Sequence, residues 1–269
     1  MARQKGLIKY EGNLGGVSHY RQKGVKDHLA RIANGPSAEQ IASDPAFQRT
    51  RENNAEFKGC ALVGKNLRQS FAKLIRSAAD PFITGRLVGV MKQINLQDSV
   101  NARGQRSVAI SLGAEKLKDF QFNRGLSLDT IFSPPYALTS NAAKNEATLT
   151  VQPFTPIDTM DVPAGATHFR IILAIGSLSD YAYDAIYKAY SAVEPDEDGL
   201  NVMVFSAYLP VDQDVSAAIP LTASLPGAPT LSATTGLATA IGIEYYQEVN
   251  GVQYLFAQGN AAKFAEVFV

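Results

Sequence analysis

Between Leu62 and Ile94 the apolar positions recur at helical spacing, whereas after about Ser107 they alternate or run in short unbroken groups. In the first region Leu62, Val63, Leu67, Phe71, Leu74, Ile75 and Ala78 share one face of a 3.6-residue period, with Lys65, Arg68, Gln69 and Arg76 elsewhere. A second stripe follows at Ile83, Leu87, Val90, Met91 and Ile94. Asp44-Pro45 and Asp80-Pro81 each place a capping carboxylate ahead of a proline suited to the first helical turn. The pattern predicts a helical hairpin within residues 37–106, with a helix–helix junction near the glycines at 59 and 64.

Ahead of the helices, residues 7–11 and 17–22 read as strands, with Gly12, Gly15 and Gly16 for the turn; Gly24 sets off a third short run. So few short strands are not stable alone, so residues 1–36 must pair with the rest of the chain or with a neighbouring copy. An exchange arm and an edge of the main sheet both satisfy that requirement. Asn34-Gly35-Pro36 breaks the chain, and Ser37 can cap a turn through Ile41.

Beyond the helices, residues 120–122, 147–152, 167–175, 182–187, 202–209, 240–247, 253–256 and 264–269 read as strands. Asn250-Gly251, between Val249 and Val252, suits a two-residue type I′ hairpin. The stretch 219–235 is rich in Pro, Ser, Thr and Ala and reads as a long loop. The expected fold class is α+β: a short β segment (1–36), a basic helical block (37–106) and an antiparallel β-sandwich (107–269). An immunoglobulin-like arrangement is one form of such a sandwich. The Cys…Trp…Cys marks of true immunoglobulin domains do not apply, because the chain has one Cys and no Trp.

At 46% hydrophobic and 19% charged residues the chain can build a core. No apolar run approaches the roughly 20 residues of a membrane helix, and no secretory signal is visible, so the expected location is cytoplasmic without membrane insertion. The zero net charge conceals a division. Residues 1–125 hold 21 Lys/Arg against 10 Asp/Glu, and residues 126–269 hold 4 against 15. Three readings follow: a basic face for nucleic acid, complementary surfaces that join copies of the chain, or neutralisation within one molecule.

Chemical motifs are weak. Residues 59–66, GCALVGKN, approach the phosphate-binding loop, but Asn66 replaces the hydroxyl residue and a polar helix replaces the preceding strand. Glu194-Pro-Asp196-Glu-Asp198-Gly199 opens like a calcium loop yet has Phe205 where a bidentate Glu belongs. Ser70 and Lys73 match S-x-x-K without its companion motifs. His19, His28 and His168 are scattered, and Cys60 has no activating base nearby in sequence. Tyr181, Tyr183, Tyr187 and Tyr190 are candidates for an aromatic strip or for strand packing. No catalytic residue, metal ligand, cofactor or small-molecule substrate is assigned.

Three stretches are similar to one family: RQKGLIKYEGNLGGVSHYR, then DPAFQRTRENNAEF with NARGQR, then GIEYYQEVNGVQY. On these the chain resembles, over nearly its full length, a family of uncharacterised proteins encoded by Bacteroidota. The resemblance implies no activity, cofactor or catalytic residue. The expectation from the residues themselves is a non-enzymatic structural protein that self-associates into a filament, tube or other homo-oligomer. Copies would join head-to-tail or by arm exchange. Arg49, Arg51, Arg68, Arg76, Arg103 and Arg106 would meet Asp196, Glu197 and Asp198 of the next copy. The alternatives are a binding module for a carbohydrate or protein, gripping through loops 194–199 and 219–235, and nucleic-acid binding by the basic helices.

Overall fold

A computed structural model describes residues 2–33 and 35–269; Met1 and Asn34, the latter part of the expected chain break, lie outside the described residues. The fold is α+β, with several antiparallel sheets, one long helix and a largest sheet of six strands. The chain divides into two compact units, Met1–Arg51 and Glu52–Val269.

In the first unit, β1 (Ala2–Arg3), β2 (Gly12–Leu14), β3 (Val17–Arg21) and β4 (His28–Ile32) form one sheet in the order β1-β4-β3-β2. Gly15 and Gly16 turn β2 into β3 at φ +56° and +77°, the left-handed pair that a two-residue type I′ hairpin requires. Residues 7–11, expected as a strand, pair with no strand. The helix α1 (Ala38–Ser43) carries a full capping box: Ser37 Oγ accepts from the Gln40 N–H while Gln40 Oε1 accepts from the Ser37 N–H. Asp44 then caps a 3-10 turn at Pro45–Phe47, accepting from the Ala46 N–H at 2.8 Å.

The helix α2 (Gln48–Ser70) runs without a break through the glycines expected at a junction. Those glycines are points of close approach instead. A Cβ on Gly59 would stand 2.7 Å from the Tyr190 ring, and one on Gly64 would stand 3.4 Å from Val88. Helical continuity breaks at Phe71 and again over residues 79–82, giving α3 (Ala72–Ala78) and α4 (Ile83–Asn95). Both apolar stripes face inward, with Leu62, Ile75 and Val90 partly buried and the rest buried. They also share a single core with Ile172, Ala174, Ala238, Ala240, Ala262 and Phe264 of the large sheet, so helices and sheet form one unit.

Short helices α5 (Ile110–Gly113) and α6 (Leu128–Ile131) lead to β5 (Tyr136–Ser140) and β6 (Glu146–Val151); α7 (Pro156–Thr159) precedes the main strands. These are β7 (His168–Ser179), the hairpin β8 (Tyr181–Asp184) and β9 (Ala189–Ala192), then β10 (Asn201–Phe205), β11 (Leu209–Pro210), β12 (Ile219–Ser224), β13 (Thr235–Val249), β14 (Val252–Leu255) and β15 (Ala261–Phe268). Along its whole length β7 pairs with β13; β10 and β11 flank β7, and β14 and β15 flank β13. The helical face of this pair is floored with small residues, and Leu74 packs where a Cβ of Gly242 would otherwise lie. The opposite face, with Ile171, Leu173, Ile241, Ile243 and Tyr245, shares a second core with Leu149, Val151, Leu221 and Ala223 of the sheet β12-β6-β5.

Asn250 and Gly251 adopt φ +52° and +78° between the paired Val249 and Val252, as the type I′ expectation requires. A further expectation is corrected. Residues 219–224, read as loop, form β12, because Ile219, Leu221 and Ala223 point inward while Pro220, Thr222 and Ser224 point out. The Pro/Ser/Thr content masks a period of two on an edge strand, where proline is tolerated.

Candidate functional site

The first unit carries the least explained surface of the molecule. Antiparallel partners share a face, so Leu14, Val17 and Ile32 lie together, continued by His19 and Ala30. Tyr10 stacks edge-on against His19, the ring centroids 5.1 Å apart. The other face carries Arg31 over the Tyr20 ring, with Leu29 beside them. Among the described residues of this unit, Leu29 alone is a buried apolar side chain. Leu7, Ile8, Leu14 and Ile32 are exposed, Leu7 completely.

Magnitudes show what this means. Burying one leucine contributes about 1.5–3 kcal/mol, whereas ordering each residue costs about 1–2 kcal/mol. A four-stranded sheet resting on one buried leucine has an apolar face still to be covered. The unit is also basic, with nine Lys/Arg against four Asp/Glu in residues 1–51.

The charged residues expected at an assembly surface fall into two groups. Arg49, Arg76 and Asp196 are exposed. Arg68 is half-buried. Arg51, Arg103, Arg106, Glu197 and Asp198 make contacts within their own unit. Arg51 donates to the carbonyls of Ile41 and Asp44, each at 2.8 Å. Arg103 lies 3.7 Å from Glu52, and Arg106 lies 4.0 Å from Glu56. Glu197 accepts from the N–H and hydroxyl of Ser232 at 3.0 and 2.9 Å. Asp198 accepts from the Tyr181 hydroxyl, the Asn66 amide and the Ser179 N–H. The structure therefore brings Asp198 to Asn66 on α2, not to an arginine. Burial pushes the Asp198 carboxyl up, and these three hydrogen bonds only partly offset it.

A second buried polar cluster ties the helices to the loop after α4. Glu56 is paired with Lys92 and accepts from the Gly104 N–H at 2.8 Å. Burial alone would raise its carboxyl, but Lys92, Gly104 and Arg106 together hold it below the usual range. Asn95 donates to the carbonyls of Arg106 and Ser107, and the Tyr190 hydroxyl donates to Arg106 O at 2.9 Å. These contacts tie α2, α4 and the loop after α4 to one another, as a structural clamp would. Cys60 lies beside them fully buried, its thiol pushed up to about 11 by burial.

Other motifs resolve in the same direction. The phosphate-loop look-alike lies inside α2, and the calcium-like loop spends two of its carboxylates internally. Among the described residues no group of three His, Cys, Asp or Glu is placed to hold a metal ion, and no helix is long and apolar enough to cross a membrane. Tyr181 and Tyr190 are buried while Tyr187 is exposed, so the four tyrosines form no continuous strip. Charge patterning pointed away from Leu7, Ile8, Leu14 and Ile32. The signal that finds them is an alternating apolar segment with no second apolar stripe nearby to cover it.

No family model, curated protein or solved structure matches the chain.

Proposed function

We propose that this is a non-enzymatic structural protein that self-associates, with the N-terminal sheet as the surface a second copy covers. The observation that carries the reading is a four-stranded sheet with one buried apolar residue and an apolar face open to solvent. Charge supports a copy of the same chain as the cover. The N-terminal unit is basic, and residues 126–269 are strongly acidic. A contact between two different surfaces repeats from copy to copy, closing into a ring or running on as a filament.

Nucleic acid is a weaker partner for this molecule, since Lys92, Arg103 and Arg106 already face Glu52 and Glu56. The binding-module reading is favoured by one feature, a largely apolar groove of about 490 Å³ lined by Pro156, Ile157, Met160 and Val211. Sedimentation velocity and negative-stain microscopy over a range of protein and salt concentrations test the main reading. Concentration-dependent species larger than a monomer are expected. A monomer under every condition rejects it.

A further inference from the structure

The groove of about 490 Å³ between α7 and the loop after β11 combines an apolar centre with a rim of one charge. Pro156 and Met160 are buried in it, Val162 and Val211 are half-buried, and Ile157 stands 83% exposed. Asp212 and Asp214 line the groove, and Asp158 and Asp161 alternate with its lining residues Ile157, Met160 and Val162. All four carboxylates are exposed, and neither 151–167 nor 206–218 contains a Lys or Arg. This concentration is local. In residues 126–269 ten of the fifteen Asp and Glu side chains accept hydrogen bonds or pair with a cation in their own chain. Among the described residues the carboxylates without such a partner are Asp196 and the four at this groove. An apolar centre inside a polar rim is the layout of a protein interface, and an unpaired rim of one sign favours a partner of the other.

The N-terminal sheet of a second copy carries the matching features. Leu14, Val17 and Ile32 share one face, on which Leu14 and Ile32 are exposed. The remaining positions of β3 and β4 on that face are His19, Arg21, His28 and Ala30, so these strands place no carboxylate there. Residues 2–33 hold seven Lys/Arg against Glu11 and Asp27, and Asp27 is paired with Arg3. Arg21 lies on the face itself, and Lys9 adjoins Tyr10, whose ring packs on His19 of the same face. Neither cation is in an ion pair among the described residues.

We infer that the Leu14–Val17–Ile32 face of one copy docks on the α7 groove of another. Leu14 and Ile32 meet Ile157 and Val211, while Lys9 and Arg21 face Asp158, Asp161, Asp212 and Asp214. This rests on the self-association reading and names the acceptor surface for it. Two different surfaces meet, so the contact repeats from copy to copy. The apolar centre supplies the attachment, and the exposed charges choose the partner and make assembly weaken with salt.

Sedimentation velocity of the full chain tests it, with circular dichroism to confirm that each variant is folded. Ile157→Glu is expected to raise the concentration needed for half-assembly about tenfold or more. Ile186→Glu, at a side chain 85% exposed on the β8–β9 turn, is the control and should leave that concentration unchanged. Asp212→Lys/Asp214→Lys should weaken assembly by a similar factor, and adding Lys9→Glu/Arg21→Glu to the same chain should restore it. Oligomers that survive Ile157→Glu, that respond equally to Ile186→Glu, or that the charge exchange does not restore overturn the groove assignment and leave self-association standing. Absence of oligomers from the unsubstituted chain overturns both.

Discussion

The Cβ that Gly59 lacks would stand 2.7 Å from the ring of Tyr190, which is itself anchored by its hydroxyl on Arg106 O at 2.9 Å. The helix and the β8–β9 hairpin approach this closely only because one side chain is a hydrogen atom. Gly59→Ala gains up to about 1 kcal/mol in helix propensity but forces an anchored ring aside, an overpacking that costs about 1–3 kcal/mol. A net loss of about 1–2 kcal/mol in urea unfolding is expected. Adding Tyr190→Leu should make the pair cost less than the sum of the single changes. Gly89→Ala on α4, where nothing lies within 4 Å, is the control and should stabilise by about 0.5–1 kcal/mol.

Glu56 links stability to acid. Its folded carboxyl titrates below the ordinary value of 4.5, as Asp98 does below 3.8. For both, burial acts upward and the hydrogen bonds, with Lys92 for Glu56 and with Asn101 and Ser107 for Asp98, act downward and win. A lowered folded pKa contributes stability that is complete above the unfolded value and lost as pH falls through the folded one. Unfolding free energy should therefore hold from neutrality to about pH 5 and decline below it. Glu56→Gln strands the mostly covered Lys92 ammonium and should cost about 3 kcal/mol at pH 7. Its acid decline should be shallower than that of the unsubstituted chain, read from urea midpoints between pH 3 and 7. An unchanged slope would remove Glu56 from the account.

The helices and the long central strands were legible because their patterns are local. A stripe such as Leu67, Phe71 and Leu74 needs only the 3.6-residue period, and Asn250-Gly251 needs only left-handed geometry. Strand β12 was hidden because Pro220 and its polar neighbours disguise an alternation that becomes clear only beside Leu149 and Val151. Charge counting misdirected the site, because it cannot tell a solvated carboxylate from one such as Asp198 that serves Tyr181, Asn66 and Ser179. Exposed Leu7 and Ile8 were in view as part of a strand, but a missing cover is visible only after every other apolar stripe has found its partner.

The hairpin glycines give assembly a separate handle. Gly16 sits at φ +77° with no atom within 4 Å of its missing Cβ, so any cost of substitution there is conformational. Gly16→Val places a β-branched side chain in the left-handed region, at about 1–2 kcal/mol or more. In a sheet resting on Leu29 alone that should abolish the N-terminal sheet, and oligomers with it. The thermal transition of the second unit, with its own two cores, should not move. Scanning calorimetry and sedimentation on one preparation check both halves. A lowered main transition, or intact oligomers, would contradict the assignment.

Lys263 yields the last prediction through an asymmetry of exposure. Its side chain is 7% exposed, while its partners Asp119 and Asp129, at 2.9 and 2.6 Å, are 62% and 53% exposed. Burial would lower the lysine, but the two carboxylates outweigh it and raise its pKa. Removing the lysine leaves two acids free to return to water, so Lys263→Met should cost about 1 kcal/mol or less. Removing both acids leaves a buried, unpaired ammonium, and Asp119→Asn/Asp129→Asn should cost about 3–5 kcal/mol at pH 7. The pH slopes should then oppose each other. In the unsubstituted chain the raised pKa contributes stability below the ordinary value of 10.5 that is lost as pH rises through the folded value. In the double variant burial opposes only the weaker influence of Tyr136, the folded pKa should drop below 10.5, and stability should increase as pH rises from 7 towards 10. Urea unfolding of both proteins at pH 7, 8.5 and 10 reads the sign directly, and parallel slopes would show that the carboxylates do not control this lysine.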